Sequence, residues 1–311
     1  MGRREVLGGV VCAAVCAGLL AGCGAETGST KAITKAQTPA TEETEAPMQA
    51  ETAAQEAAAE PSTGDTSIEE QVLMDAEGVK ITARGYTKDT IYGDGIPLLI
   101  ENSGSKSVGI GCDALIVNHY MLTNLFSAEV AAGKKSNETL YLSSSEREAC
   151  GIDNVGEVEA YFHLYDPDTY ETTYTAERAD IKTNHYEDMD TSPNDGGTEL
   201  VNENGIRIVG KYVDENSFWG NAVVLYLENN TDKNVEIQCD DMSVNGYMMT
   251  PYFSSTVYAH RMAVDDITLM QSELDENGIS GVEDVELTFH VLDADTFETI
   301  FDTDPVSFQT K

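Results

Sequence analysis

The chain has 311 residues, enough for two domains of ordinary size or one large one, and its 55 acidic against 18 basic residues give a formal net charge of −37. Such a surface repels nucleic-acid phosphates and anionic lipid headgroups, so neither is an expected partner. The acidity is uneven: residues 72–183 hold 18 acidic and 9 basic side chains, and residues 199–310 hold 22 and 4. Any cation site is therefore to be sought first in the second span.

At the amino terminus Arg3 and Arg4 form a positive n-region, followed by an apolar run from Val6 to Leu20. That run is too short to remain in a bilayer, which takes about 20 apolar residues. It closes on Leu20-Ala21-Gly22-Cys23, the pattern of a bacterial lipobox. Small residues at 21 and 22 suit a peptidase cleft, and the Cys23 thiol accepts a diacylglyceryl group before cleavage exposes its amine. Residues 1–22 are thus expected to leave as a signal peptide. Cys23 is the expected lipidation site, holding the chain on the extracellular side of the cell membrane with about 0.8 kcal/mol per buried methylene. Residues 23–67 are Ala, Thr and Glu with almost no large apolar side chain. Such a segment cannot offset its chain entropy and reads as a disordered tether, extended by repelling glutamates such as Glu42, Glu43 and Glu45.

Residues 72–183 laid over 199–310, at a constant offset of 127, align without a gap, and about a third of the positions are identical. Cys112-Asp113 falls on Cys239-Asp240, Val117-Asn118-His119-Tyr120-Met121 on Val244-Asn245-Gly246-Tyr247-Met248, and Phe162-His163 on Phe289-His290. Two copies of one domain are expected, at 68–184 and 199–311. The polar segment 185–198 between them, with Pro193, Asn194, Asp195, Gly196 and Gly197, reads as a flexible connector. Each copy reads as β: Ile206–Val209 opens a strand, Ala222–Leu227 is a central one, and Val235–Cys239 alternates cleanly. In the last long run Val285, Leu287, Phe289 and Val291 share one face, and Ser272–Gly278 predicts one short helical turn. The fold class predicted is all-β, two tandem immunoglobulin-like β-sandwiches.

The Val-Asn-Gly-Tyr-Met run at 244–248, the following Phe253, and Ala132-Gly133-Lys134-Lys135 resemble the tandem immunoglobulin-like lipoproteins of unknown function from Firmicutes and related anaerobic bacteria. The resemblance covers 72–310 and implies an exported, surface-anchored module. His119 stands where that pattern has Gly, and His260-Arg261-Met262 replaces its Gly-Lys-Lys turn.

The cysteines reduce quickly. Cys12 and Cys16 leave with the signal and Cys23 is lipidated, so Cys112, Cys150 and Cys239 remain. An odd count permits one internal disulfide at most. Cys150 corresponds to Asn277, so a Cys112–Cys150 bridge is not something the fold requires, and Cys112 and Cys239 read as small buried hydrophobes.

Asp166-Pro167-Asp168-Thr169-Tyr170-Glu171 recurs as Asp293-Ala294-Asp295-Thr296-Phe297-Glu298. The spacing suits a tight hairpin turn; Asp293, Asp295 and Glu298 are at the same time candidate Ca²⁺ ligands, and Asp240-Asp241 and Asp265-Asp266 are candidates to join them. Without the twelve-residue calcium loop the turn reading is preferred, and no cofactor is expected. His163 lies out of phase with Phe162, on the same strand face as Glu159, which would allow a His–carboxylate pair with no nucleophile beside it. Tyr161 and Tyr165 flank His163 in an aromatic ribbon able to stack on sugars or anchor a protein, whereas Tyr170 and Tyr174, matched by Phe297 and Phe301, are expected to pack inward. Trp219, aligned with Tyr92, is an interface anchor or a lid on the core.

The function expected is a non-enzymatic binding or scaffolding module, anchored to the membrane by its lipid and meeting an envelope protein or glycan. A solute-binding lipoprotein would show sustained helical periodicity, which is absent. An envelope hydrolase would need acids converging from distant loops, and a passive spacer would look the same in sequence.

Overall fold

A computed structural model describes residues 65–90 and 92–310, so the signal peptide, Cys23 and nearly all of the tether lie outside the described residues. The first repeat contains β1 (Gln71–Ala76), β2 (Val79–Ala83), β3 (Thr87–Thr90), β4 (Gly93–Asn102), β5 (Val108–Val117), β6 (Tyr120–Leu122), β7 (Ser127–Val130), β8 (Lys135–Leu142), α1 (Ser144–Cys150), β9 (Glu157–Tyr165), β10 (Thr172–Thr175) and β11 (Ala179–Lys182). β2 and β3 pair with β4, which pairs with β8 on its other side, and β1 extends this sheet beyond β2. β5 is paired with β9 and with the broken strand β6–β7, and β9 carries β10 and β11. Two antiparallel sheets with crossovers between them make an immunoglobulin-like sandwich.

The second repeat runs β12 (Thr198–Glu203), β13 (Ile206–Ser217), β14 (Gly220–Asn229), β15 (Val235–Val244), β16 (Tyr247–Met248), β17 (Ser254–Val257), β18 (Arg261–Met270), α2 (Gln271–Glu276), β19 (Asp284–Asp293), β20 (Thr299–Asp302) and β21 (Val306–Gln309). Each element sits 127 residues, give or take an end residue, from its counterpart, and β13 alone spans what β2 and β3 divide. The alternation expected in the last long run holds, with Val285, Leu287, Phe289 and Val291 buried to 1 % exposure or less. Burying each such side chain contributes about 1.5–3 kcal/mol.

Repeated asparagines fix the corners of both sandwiches. Asn102 Nδ2 donates to the carbonyls of Lys106 and Val130, each at 2.8 Å, and its Oδ1 accepts from Gly104 N–H. Asn229 does the same for Lys233, Val257 and Thr231. Asn118 and Asn245 tie the β5–β6 and β15–β16 turns to the strands that follow the helices: Asn118 Oδ1 accepts from Gly156 and Glu157, Asn245 Oδ1 from Glu283 and Asp284. Asn118-His119 and Asn245-Gly246 all have positive φ, as the tight turn with two left-handed residues requires. The histidines that replace glycine, His119 and His260, keep the left-handed backbone of Gly246 and Gly133 (φ 71° and 58° against 81° and 66°). The fold is thus preserved at a local strain.

The two repeats share a sheet. Met262 and Ala263 at the start of β18 pair in parallel with Tyr120 and Met121 of β6, and Met262 N–H donates to His119 C=O at 3.0 Å. The second sheet of the first repeat thereby continues into the first sheet of the second as ten strands. Val209, Tyr226 and Met262 enter the first repeat's core, and Met121 packs against the second's. Tyr120 and Tyr226 meet edge-on at 6.5 Å. Over this apolar contact Glu159, 2 % exposed, receives both arms of Arg261 at 2.9 and 2.8 Å and one of Arg178 at 3.3 Å.

The connector departs from the flexible reading. Asn194 N–H donates to the Tyr120 hydroxyl at 2.8 Å, Asn194 Nδ2 donates to Ala149 C=O at 2.9 Å, and Lys211 donates to Asn194 C=O. Asp195 pairs with Arg207 at 2.8 Å. Its polar residues, which suggested solvent exposure, are used as hydrogen-bond partners by both repeats.

Candidate functional site

The outer face of β9 carries the aromatic ribbon, and β5 is built to receive it. In the β5–β9 register Gly109 lies opposite Tyr165 and Gly111 opposite His163. A Cβ at Gly109 would sit 2.2 Å from the Tyr165 ring, and one at Gly111 2.3 Å from the His163 ring. The absence of side chains at 109 and 111 therefore lets both rings lie across the neighbouring strand. One residue further on, the register shifts between Cys112 and Ala114, and the bulge turns Asp113 outward so that its Oδ1 lies 2.7 Å from His163 Nδ1.

Around this pair, Tyr165 meets His163 at 5.8 Å and stacks on Tyr170 at 6.0 Å with planes 17° apart, while its hydroxyl lies 3.1 Å from Ser127 Oγ. Tyr161 completes the row and meets Tyr258 of the second repeat edge-on at 5.0 Å. Burial pushes the Tyr161 hydroxyl above its ordinary pKa and that of Tyr258 up to about 12, so both are hydrogen-bond donors at neutral pH. The result is a face of flat apolar rings edged by a carboxylate, an imidazole and hydroxyls. The second repeat has no such face: Glu236, Gln238, Thr288 and Leu292 stand in place of Gly109, Gly111, Tyr161 and Tyr165. His290 persists there, bonded through Nδ1 to Asp302 at 2.8 Å, with Nε2 3.3 Å from Asp240.

Three expectations for these residues need correction. Tyr170 and Phe297 do not pack inward: they are 78 % and 68 % exposed, because each occupies a left-handed position (φ 59° and 57°) that throws its side chain off the hairpin. Tyr174 and Phe301 do pack against the cores. The carboxylate partner of His163 is Asp113 rather than Glu159, which is turned to the arginines. Trp219 is no lid: it lies on the β13–β14 turn, 51 % exposed, with its ring edge-on to Phe218 at 4.8 Å, apart from the ribbon's ring contacts.

The acidic hairpins are turns. Asp166 Oδ1 accepts from the N–H groups of Asp168 and Thr169, and Asp293 Oδ1 from those of Asp295 and Thr296. Asp293 Oδ2 also takes Lys233 Nζ at 2.6 Å, which holds its carboxyl below the usual range. Asp295 and Glu298 are exposed. Among the described residues no group of three or more His, Cys, Asp or Glu is disposed to hold a metal ion, Asp240-Asp241 and Asp265-Asp266 included. Cys112, Cys150 and Cys239 are all free thiols. Burial pushes Cys112 up to about 11 and the other two to about 12, so they are poor nucleophiles.

Neither the Glu159–Arg261 clamp nor the role of the glycines emerged from residue types alone. The first joins positions 102 residues apart. The second had a legible signal, Gly-x-Gly within a strand facing Tyr-x-His-x-Tyr.

No family model matches the sequence, and no curated protein matches it. Among solved structures the chain is similar to the YadV chaperone, at 12 % identity and TM-score 0.23, covering 75 % of this chain and 99 % of that one. It is also similar to the Salmonella enterica SafA pilin in complex with the SafB chaperone, at 11 % and 0.22, covering 76 % and 98 %. A protein of unknown function from Porphyromonas gingivalis W83 matches at 7 % and 0.18, covering 79 % and 98 %. At these identities and scores no ligand or partner carries over; what the chain itself displays is an immunoglobulin-like β-sandwich architecture.

Proposed function

We propose that the protein is a lipid-anchored, non-enzymatic binding module of the cell envelope, held to the membrane through Cys23, whose ribbon of Tyr161, His163, Tyr165 and Tyr170 takes an envelope glycan. The observation that supports this reading is the pairing of Gly109 and Gly111 with Tyr165 and His163, which keeps a row of rings flat on a sheet face in one repeat and not in the other. Sugar rings present apolar C–H faces to such aromatics and hydroxyls to their rim, here Asp113 and Ser127. The acidic surface disfavours nucleic acid.

The test is a glycan array and binding to isolated cell walls, using the full chain with Cys23→Ser and the same chain carrying Tyr165→Ala or Gly109→Ala. The alanine at 109 displaces the ring without removing it, so both variants are expected to lose at least tenfold in affinity, about 1.4 kcal/mol. Glycan binding that both variants retain at full strength would refute the ribbon as the site. Capture of an envelope protein instead, lost with the same variants, would keep the site and replace the ligand class.

A further inference from the structure

The contact between the two repeats uses one edge of each. The first repeat offers β6 and the second offers β18. By the 127-residue offset each repeat also owns the counterpart of the edge its neighbour uses: the second repeat has β16, and the first has β8. Neither of these two edges is engaged within the described chain. We propose that they engage each other between molecules, so that the β16 edge of one copy docks on the β8 edge of a second copy in the way β6 docks on β18, giving head-to-tail chains of copies.

Four observations carry this. Tyr120, 1 % exposed in the internal contact, has as its counterpart Tyr247, 51 % exposed, and beside it Met248, the counterpart of Met121, is 66 % exposed. An apolar pair at the edge of a strongly acidic repeat is unexplained by the fold of that repeat. Next to it runs a groove of about 640 Å³ lined by Asn245, Gly246, Tyr247, Gly278 and Glu283 among others. The matching groove of the first repeat is covered by the connector, with Asn194 against Gly151 and Met189 against Gly156.

Charge selects the occupant. Glu159, which clamps Arg261 in the internal contact, corresponds to Glu286, and Arg261 corresponds to Lys134. Glu286 and Lys134 are both exposed, and neither has an ion-pair partner among the described residues. A docked second copy brings them together. Lys134 and Lys135 also form a basic spot on an otherwise acidic chain, and lysines on an edge strand resist indiscriminate pairing while tolerating an acidic partner. Because the two edges differ, the contact is heterologous: it leaves a β16 edge open at one end of every assembly and a β8 edge at the other, and growth continues.

Parallel pairing in the register of Met262 with Tyr120 would place Lys135 of one copy beside Tyr247 of the next. The test is disulfide trapping with Lys135→Cys and Tyr247→Cys together in the full chain bearing Cys23→Ser, under a mild oxidant. A ladder of dimers, trimers and longer species on a non-reducing gel is expected. Each single variant can give a dimer at most, and the buried native thiols serve as an inert background. Adding Glu286→Lys should cut the ladder about tenfold, and adding Lys134→Glu as well should restore it. No product beyond that of the single variants, or a ladder indifferent to both charge changes, would overturn the proposal. As a check that needs no cysteine, sedimentation velocity of the Cys23→Ser chain should show a weight that rises with concentration; a constant monomer weight up to sub-millimolar protein would count against it. The ribbon residues are untouched in every variant, so glycan binding and assembly fail or stand separately.

Discussion

Replacing Glu159 by alanine tests how the two repeats are held together. In the native chain the carboxylate is 2 % exposed and receives three N–H groups, two from Arg261 and one from Arg178. The two arginines respond differently to its loss. Arg178 is 44 % exposed and keeps Asp180 at 2.7 Å, so it returns to water at little cost. Arg261 is 16 % exposed and loses both bonds to the carboxylate, keeping only the neutral His260 carbonyl at 2.8 Å, so its charge is left largely out of water without a counter-charge. Breaking a buried pair from one side costs about 3–5 kcal/mol, and the residual exposure of Arg261 places this case near 3 kcal/mol, over a hundredfold in the folding equilibrium. The assay is urea unfolding followed by the single tryptophan, Trp219, which reports the second repeat, and by circular dichroism, which reports both. The repeat supplies its own control: Glu286→Ala, at the matching but exposed position, should change stability by no more than about 0.5 kcal/mol. Adding Arg261→Ala to Glu159→Ala should recover part of the loss, since the orphaned charge then disappears. Equal, small effects at 159 and 286 would refute the claim that this clamp joins the repeats.

Three further outcomes follow from the same geometry. Burial raises Glu146 to about 7 and Asp265 to about 6, so the folded chain binds protons there that the unfolded chain releases above pH about 4.3; stability should therefore rise as pH falls from 7.5 to 5, and Glu146→Gln should flatten a melting-temperature profile over that range. Asn102→Ala and Asn229→Ala each strand two backbone carbonyls that the amide now satisfies, and each should cost about 2–4 kcal/mol by denaturant titration. His119→Gly removes a non-glycine side chain from φ 71° and should stabilise the chain by about 0.5–1 kcal/mol in the same titration, at most a fraction of which is offset by losing the 3.9 Å contact with Glu157.

Much of the architecture was legible because duplication prints the same pattern twice. The offset of 127, the alternation from Val285 to Val291 and the short helix before Gly278 each predict what the chain forms. The Asp-x-Asp-Thr turns were equally clear, since aspartate caps its own backbone whatever lies around it. What escaped was set by backbone sign or by distance. Tyr170 and Phe297 look like core residues by hydrophobicity, yet a positive φ decides where they point. Glu159 looks like one more surface acid until the chain returns 102 residues later with Arg261. The bonds of the connector are hidden for a related reason: Asn194 and Asp195 are polar, and composition does not distinguish a residue bonded to water from one bonded to Tyr120, Ala149 or Arg207. Alternation along β9 points His163 to Glu159, whereas its carboxylate is Asp113, because the bulge at Asp113 is invisible to simple alternation.

The shared core also dictates an order of events during synthesis. The amino-terminal repeat leaves the ribosome first, and its last strand, β11, ends at Lys182. Three of the side chains that close its core, Val209, Tyr226 and Met262, have not yet been made. Until Met262 emerges, the β6 edge lacks its partner strand on a nascent chain, the situation in which unpaired strands find wrong partners. The carboxy-terminal repeat is thus the element that completes the amino-terminal one, and a chain truncated between residues 183 and 262 is expected to carry a sandwich with one side left open.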